Sequence, residues 1–341
     1  MVRGRHHIPG KPAEPTGQEN KKERRGRPIM DADEKRLGYV PATRATAVGL
    51  LAIVVWSLMT ALVRVVAESF GATLGSALIY TAGVALLLVF HRPAPLARYP
   101  KRYLMVGGAL FVFYESSISL SIGLASTAEQ SVEVSLVNYL WPTLMVLLAA
   151  AIGRPRRKGA VWRAIPGAVV ATMGVALAVG GNSGLDVGAA LGHVASDPLP
   201  YLLAFLGAFA WSLYAVITPA MSDGLDGTSV FFPGVAVVLW IIHLTSGEGM
   251  PDAVPGPLAW AAVVASAAVI AGGYAFWGYG ILHGSLKTLA VASYATPVLS
   301  VAASAVILGL SLTLPFWCGA LLVVAGSVLN WLAERLGGNK A

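Results

Sequence analysis

Asn138-Tyr139-Leu140-Trp141-Pro142 lies in the middle of one long apolar stretch, and Ser293-Tyr294-Ala295-Thr296-Pro297 lies in the middle of another, 155 residues later. The same offset carries Trp56-Ser57 onto Trp211-Ser212. Two landmarks that repeat at one spacing mark two copies of a single unit, and their apolar surroundings make that unit a membrane one. Of the 341 residues, 56% are hydrophobic and 12% charged, with 38 glycines and a mean hydropathy of +0.69. This is far outside soluble globular usage.

Stretches long enough to cross ~30 Å of hydrocarbon fall near residues 45–68, 71–90, 103–124, 127–152, 159–180, 199–220, 228–245, 257–282, 286–309 and 314–334. The expectation is an all-α membrane protein of ten transmembrane helices. The connections His91 to Arg102, Arg154 to Arg163 and His283 to Lys287 carry the loop Lys and Arg, on the side of the N-terminal tail. The opposite connections carry none, and hold Asp186, Asp197, Glu248 and Asp252. By the positive-inside rule both termini are cytoplasmic. Five spans per half is an odd number, so the second copy crosses in the opposite sense, giving two inverted five-helix repeats over residues 44–181 and 199–336. Inverted repeats are the mark of secondary transporters, whose halves exchange conformations around a midplane site.

Residues 1–43 are expected to form a disordered basic cytoplasmic tail, too polar to bury a core; Met30 is an alternative start. Eleven of the 24 Lys and Arg fall in residues 1–44, so the basic balance is tail and loop charge rather than a nucleic-acid surface. The single cysteine, Cys318, excludes an intramolecular disulfide and offers no metal cluster. No zinc-type His and Glu spacing and no phosphate-binding loop occur, and Gly181-Asn182-Ser183-Gly184 lacks the context of a nucleophile elbow. No cofactor, metal or catalytic residue is expected, and the partners are the bilayer and a small molecule. Monomer and homodimer stay open.

Proline supplies no backbone donor, so Pro142 and Pro297 release the carbonyls of Asn138 and Ser293, each beside a polar side chain near mid-membrane. Asn138, Trp141 and Pro142 share a helical face, placing an amide beside a large aromatic as a small zwitterion would need. Ionisable residues at membrane depth are informative because they are costly. Glu115 sits near the centre of the third span, where it would hold a substrate ammonium, relay a proton or serve structure. Glu133 either lines a pathway or pairs with Arg64 or another donor; Arg64 also has Glu68 four residues on, a spacing for a local ion pair. Trp56 and Trp211 are too deep for an aromatic belt, and the hydroxyls of Tyr80, Tyr214 and Tyr294 want partners in a dry bundle. The substrate-binding candidates are therefore Glu115, Asn138, Tyr139, Trp141, Tyr294, Trp56, Trp211, Tyr80 and Tyr214, with Glu133, Arg64, Pro142 and Pro297 as coupling or gating candidates. The richer side chains of Asn138 and Trp141, against Ser293 and Thr296, place the selective contacts mainly on the first half. In the fifth and tenth spans, Gly167 and Gly174 answer Gly319 and Gly326, a spacing for close backbone approach in a packing or dimer interface.

Val55-Trp56-Ser57 with Arg64, Tyr114-Glu115, Glu133-Val134 through Pro142, Gly280-Ile281-Leu282-His283-Gly284 and Ser293-Tyr294 with Thr296 to Ser300 together carry a resemblance. Over roughly residues 44 to 336 the chain resembles the drug/metabolite transporter superfamily with EamA-type repeats, most closely the bacterial aromatic amino-acid exporter family. The resemblance implies ten helices with cytoplasmic termini, a central cavity, and export of aromatic and other neutral amino acids across the bacterial inner membrane by alternating access. A multidrug or other metabolite exporter is the rival within that superfamily; a membrane-embedded enzyme and a passive channel are the rivals outside it. The long basic tail is a departure from the family.

Overall fold

The structure, a computed structural model, describes residues 42–90, 93–152, 160–180, 187–285, 288–289 and 292–338. The expectations for the tail, for Arg92, the basic run 154–158, Gly181 to Asp186 and Lys287 lie outside the described residues. Among those described the chain is all-helical, with no strand. Among the described residues nine helical stretches are long and apolar enough to cross a membrane. The remaining expected span, 286–309, is represented by a shorter apolar helix, Ser293–Ile307.

The first span is α1 (Ala42–Ser57) followed by α2 (Met59–Phe70). It bends at Leu58, whose N–H bonds three residues back to Val55, while the Ser57 hydroxyl donates to the Val54 carbonyl at 2.6 Å. Serine back-bonding of this kind bends helices without proline. Then come α3 (Ala72–Phe90), a π-helical turn (Tyr103–Gly107) leading into α4 (Gly108–Leu124), and a fourth span split into α5 (Ala128–Asn138) and α6 (Trp141–Ile152). After α7 (Ala160–Val179) comes α8 (Val187–Ser196), a ten-residue helix where a plain connection was expected, too short to cross. The chain continues through α9 (Pro198–Ile217), α10 (Thr228–Ser246), the 27-residue α11 (Pro257–His283), α12 (Thr296–Ile307) and α13 (Leu314–Gly338).

The most extensive helix pairings are α7 with α13, α1 with α11, α4 with α9, and α3 with α10. Lipid is as apolar as leucine, so these contacts rest on shape and small residues rather than on expulsion of water. At the α7–α13 crossing Gly174 faces Gly319 and Gly167 faces Gly326: a Cβ on any of the four would lie 2.5–2.6 Å from the opposing glycine's carbonyl oxygen. These glycines therefore pack within one chain, which resolves the expectation of a packing or dimer interface in favour of packing. Gly49 and Gly280 do the same for α1 and α11, where a Cβ on Gly280 would sit 2.5 Å from the Gly49 Cα.

Candidate functional site

Both quoted stretches break their helices. α5 ends at Asn138 and α6 starts at Trp141, with Pro142 as its second residue. Ser293–Ala295 is a 3₁₀ turn and Thr296 opens α12, with Pro297 second. A proline in the first turn costs nothing, because its missing N–H would have no helical partner there. Sequence reasoning placed both prolines within continuous spans, where each would release a carbonyl; in the structure each stands in the first turn of a new helix.

A cavity of about 130 Å³ lies at these breaks. On the same measure one water needs ~10–15 Å³, so the space is of small-molecule size. Its walls include Trp56, Glu115, Asn138, Tyr139, Trp141, Pro142, Trp211, Tyr294 and Pro297, all named from sequence. Those candidates, spread over nearly the whole chain, are thus brought to one space. Seven pairs of wall residues stand 155 positions apart: Trp56 and Trp211, Glu115 and Ile270, Ile122 and Trp277, Asn138 and Ser293, Tyr139 and Tyr294, Trp141 and Thr296, Pro142 and Pro297.

The polar groups differ between the two breaks. On the second, the Thr296 hydroxyl donates to the released Ser293 carbonyl at 2.7 Å, so that acceptor is already occupied. Trp141 holds the equivalent place on the first and has no hydroxyl. There the buried Asn138 side chain keeps an Oδ1 without a hydrogen-bond partner at the cavity wall. A buried amide oxygen left unpaired is costly, and a ligand N–H would satisfy it. The Ser212 hydroxyl lies 2.8 Å from the Trp141 carbonyl and 2.7 Å from that of Ala208. Its one proton serves one of them at a time, tying α9 to the α5–α6 break.

Glu115 is the only acid in the wall, which holds no Lys, Arg or His among the described residues. It is 2% exposed and receives the hydroxyls of Tyr80 on Oε2 and Tyr274 on Oε1. Tyr80 thus serves Glu115 from behind the wall rather than lining the cavity. Tyr214 also lies outside the lining: its hydroxyl is 2.9 Å from that of Tyr103, which in turn accepts the Gly227 N–H at 3.1 Å. Both tyrosines found partners inside the bundle, as a dry interior demands.

Glu133 and Arg64 also stand away from the cavity, and not with each other. The Tyr201 hydroxyl donates to Glu133, with His193 of α8 at 3.5 Å. Arg64 bonds Glu68 at 2.8 Å and donates to the Ala125 carbonyl. Partners from α8 and α9 took the acid, and the local i, i+4 pair took the base.

Sequence reasoning missed Tyr274 and Trp277 of α11, which stand at the wall. Trp56 contacts both rings, at centroid distances of 5.3 and 5.7 Å. The 155-residue offset did not point to them, since it carries Tyr274 onto Ser119 and Trp277 onto Ile122; the available signal was the run Tyr274, Phe276 and Trp277 within one apolar span. With Trp211, Tyr274 and Trp277 in place, the second half supplies as much of the aromatic wall as the first, while the acid Glu115 and the unpaired Asn138 Oδ1 stand on the first half.

Residues 198–332 match the EamA-like transporter family. Over 294 residues, 86% of this chain and 98% of the other, the sequence is 42% identical to the aromatic amino acid exporter YddG of Salmonella typhimurium (strain 14028s / SGSC 2262). The chain belongs to the YddG family. It is also 40% identical to the aromatic amino acid exporter YddG of Escherichia coli (strain K12), over 86% of this chain and 99% of that one. The exporter of the same name from Ancylobacter novellus is 29% identical, over 75% of this chain and 86% of its own. A crystal structure of a protein 26% identical aligns with a TM-score of 0.59, covering 86% of this chain and 99% of that one. Family membership makes this chain a multi-pass membrane transporter rather than an enzyme.

Proposed function

We propose that this protein exports neutral amino acids, aromatic ones among them, from the bacterial cytoplasm across the inner membrane by alternating access. Its two inverted five-helix halves, residues 44–181 and 199–336, share the central cavity, and both termini and the basic tail 1–43 face the cytoplasm. The observation that carries the reading is the set of seven wall pairs 155 residues apart. A single cavity drawn from equivalent positions of two halves is what exchange between inward-open and outward-open states requires. The helix pairings support the inversion: under the 155-residue offset α1 with α11 maps onto α9 with α4, and both pairings are extensive. The exporters named above, similar over nearly their whole length, support the substrate class.

The wall chemistry suits a zwitterion with an apolar side chain. Glu115 receives the ammonium, and the unpaired Asn138 Oδ1 accepts a second N–H. The carboxylate is left to the polar side chains of the same wall, among them the Thr60 hydroxyl, which in the structure is shared with Ser135 and Ser300, and Trp56, Trp211, Tyr274 and Trp277 enclose the side chain. The helix breaks at 139–140 and 293–295 leave Pro142 and Pro297 at the joints where each half flexes.

The test is efflux and countertransport of radiolabelled phenylalanine, threonine and methionine in proteoliposomes. Saturable exchange of at least one is expected. No flux of any of the three refutes the amino-acid reading, and flux without countertransport indicates a channel. Failure of amino acids to compete with transported cationic dyes would indicate a multidrug exporter.

A further inference from the structure

The two tyrosines that donate to Glu115 stand differently to the cavity. Tyr80, on α3, reaches Oε2 from a fully buried position outside the wall. Tyr274, on α11, reaches Oε1 and is itself part of the wall. Glu115 borders the cavity yet is 2% exposed, and of the two hydroxyls that bond it only that of Tyr274 belongs to a residue of the wall. The Tyr274 ring is fenced by Trp56 at 5.3 Å and by Phe111 and Phe232 at 5.7 Å. Trp56 is in turn seated on Gly273: a Cβ there would lie 2.2 Å from the indole Nε1.

We propose that the Tyr274 hydroxyl occupies the ammonium subsite on Glu115 Oε1 in the empty carrier, is displaced by the substrate's α-amino group, and returns to expel it. This rests on the reading of Glu115 as the amino-group receptor. Tyr274 is then a gating residue, an internal competitor for the site. Because α11 lies in the second half and Glu115 in the first, displacing the hydroxyl also cuts a link between the halves. Occupancy is thereby coupled to their freedom to move, since a ligand shifts a conformational equilibrium only through contacts that differ between the states. Tyr80 keeps its bond throughout and holds the carboxyl group in place. Were Tyr274 instead a substrate contact, removing its hydroxyl would weaken binding; as a competitor, removing it strengthens binding.

The experiment measures equilibrium binding of phenylalanine and of N-acetylphenylalanine, which lacks the ammonium, to the purified full chain in lipid nanodiscs. It compares wild type with Tyr274→Phe, Tyr80→Phe and Glu115→Gln; each replacement keeps the shape of the side chain and so the packing around it. Tyr274→Phe is expected to bind phenylalanine roughly three- to tenfold more tightly, the equivalent of one competing hydrogen bond. Its maximal transport rate should fall because release slows, and it should show no gain for N-acetylphenylalanine. Tyr80→Phe should show no tightening. A purely structural effect on cavity size would move both ligands alike and overturns the proposal. Unchanged or weaker phenylalanine binding in Tyr274→Phe, with binding lost in Glu115→Gln, overturns the competition but leaves Glu115 as receptor. Undiminished binding in Glu115→Gln overturns the receptor reading itself.

Discussion

Gly174→Ala should destabilise the fold through one identifiable contact. The added Cβ would stand 2.6 Å from the Gly319 carbonyl oxygen, 2.7 Å from the Val323 nitrogen and 2.9 Å from the Leu322 Cβ. The first two are backbone atoms, so no flexible side chain can swing away. Restoring an ordinary contact of 3.4 Å from 2.6 Å requires α7 and α13 to separate by 3.4 − 2.6, about 0.8 Å. A gap of that size forfeits about a quarter to a half of each neighbouring dispersion contact, and overpacking of this kind costs ~1–3 kcal/mol. Lipid supplies no hydrophobic drive to offset the loss. Gly319→Ala is the reciprocal clash, with its Cβ 2.5 Å from the Gly174 carbonyl. One separation relieves both, so the double variant should cost less than the sum of the singles, by ~0.5–1 kcal/mol. Gly192→Ala on α8, where the new Cβ meets nothing within 4 Å, is the control. The measurement is reversible unfolding in mixed micelles with increasing sodium dodecyl sulfate. A Gly174→Ala stability within ~0.5 kcal/mol of wild type, or strict additivity of the pair, refutes the reasoning. Transport per folded molecule should persist, since α7 contributes no residue to the cavity wall among those described.

Glu115→Gln should lower the transport rate at least tenfold in proteoliposomes, because a hydrogen bond to a charged group is worth ~1.5–3 kcal/mol; wild-type rates in a well-folded variant would make Glu115 structural. Gly273→Ala should drive the Trp56 indole off its seat and into the cavity, since the new Cβ would lie 2.2 Å from Nε1. Phenylalanine transport should then fall more than threonine transport, and equal losses would count against a shape effect. In a Cys318→Ser background, a cysteine at Asp252 should react in whole cells with a membrane-impermeant maleimide and one at Arg98 should not; the reverse pattern would invert the proposed orientation.

How far the sequence could be read depended on whether a residue's partner was local. Pro142 and Pro297 announce a helix break because the missing donor is a property of the residue itself, and the structure ends helices just before both. Arg64 and Glu68 were legible for the same reason, one turn apart on one helix. Tyr80 and Tyr214 were named for the right need, a buried hydroxyl seeking a partner, but the partners sit on other helices: Glu115 on α4 and Tyr103 in the turn before it. Glu133 was the mirror case, its partner arriving on an unforeseen short helix. The bend at Leu58 carried no proline or glycine to mark it.

Hydropathy and the 155-residue offset by themselves determined that this chain is an all-helical membrane protein, and most of the site candidates named from the sequence do line its cavity. Both are properties of the chain in one dimension: the bilayer demands long apolar helices, and a repeat puts equivalent residues at equivalent depths. Tertiary structure alone decided which side of each helix meets which neighbour. It turned Gly174 and Gly319 into an internal crossing, closed the Ser293 carbonyl with Thr296 while leaving the Asn138 amide oxygen unpaired, and set the Tyr274 hydroxyl over Glu115. Those outcomes depend on the rotation and separation of packed helices to within an ångström, and a hydrophobic pattern that runs all round a membrane helix does not encode them.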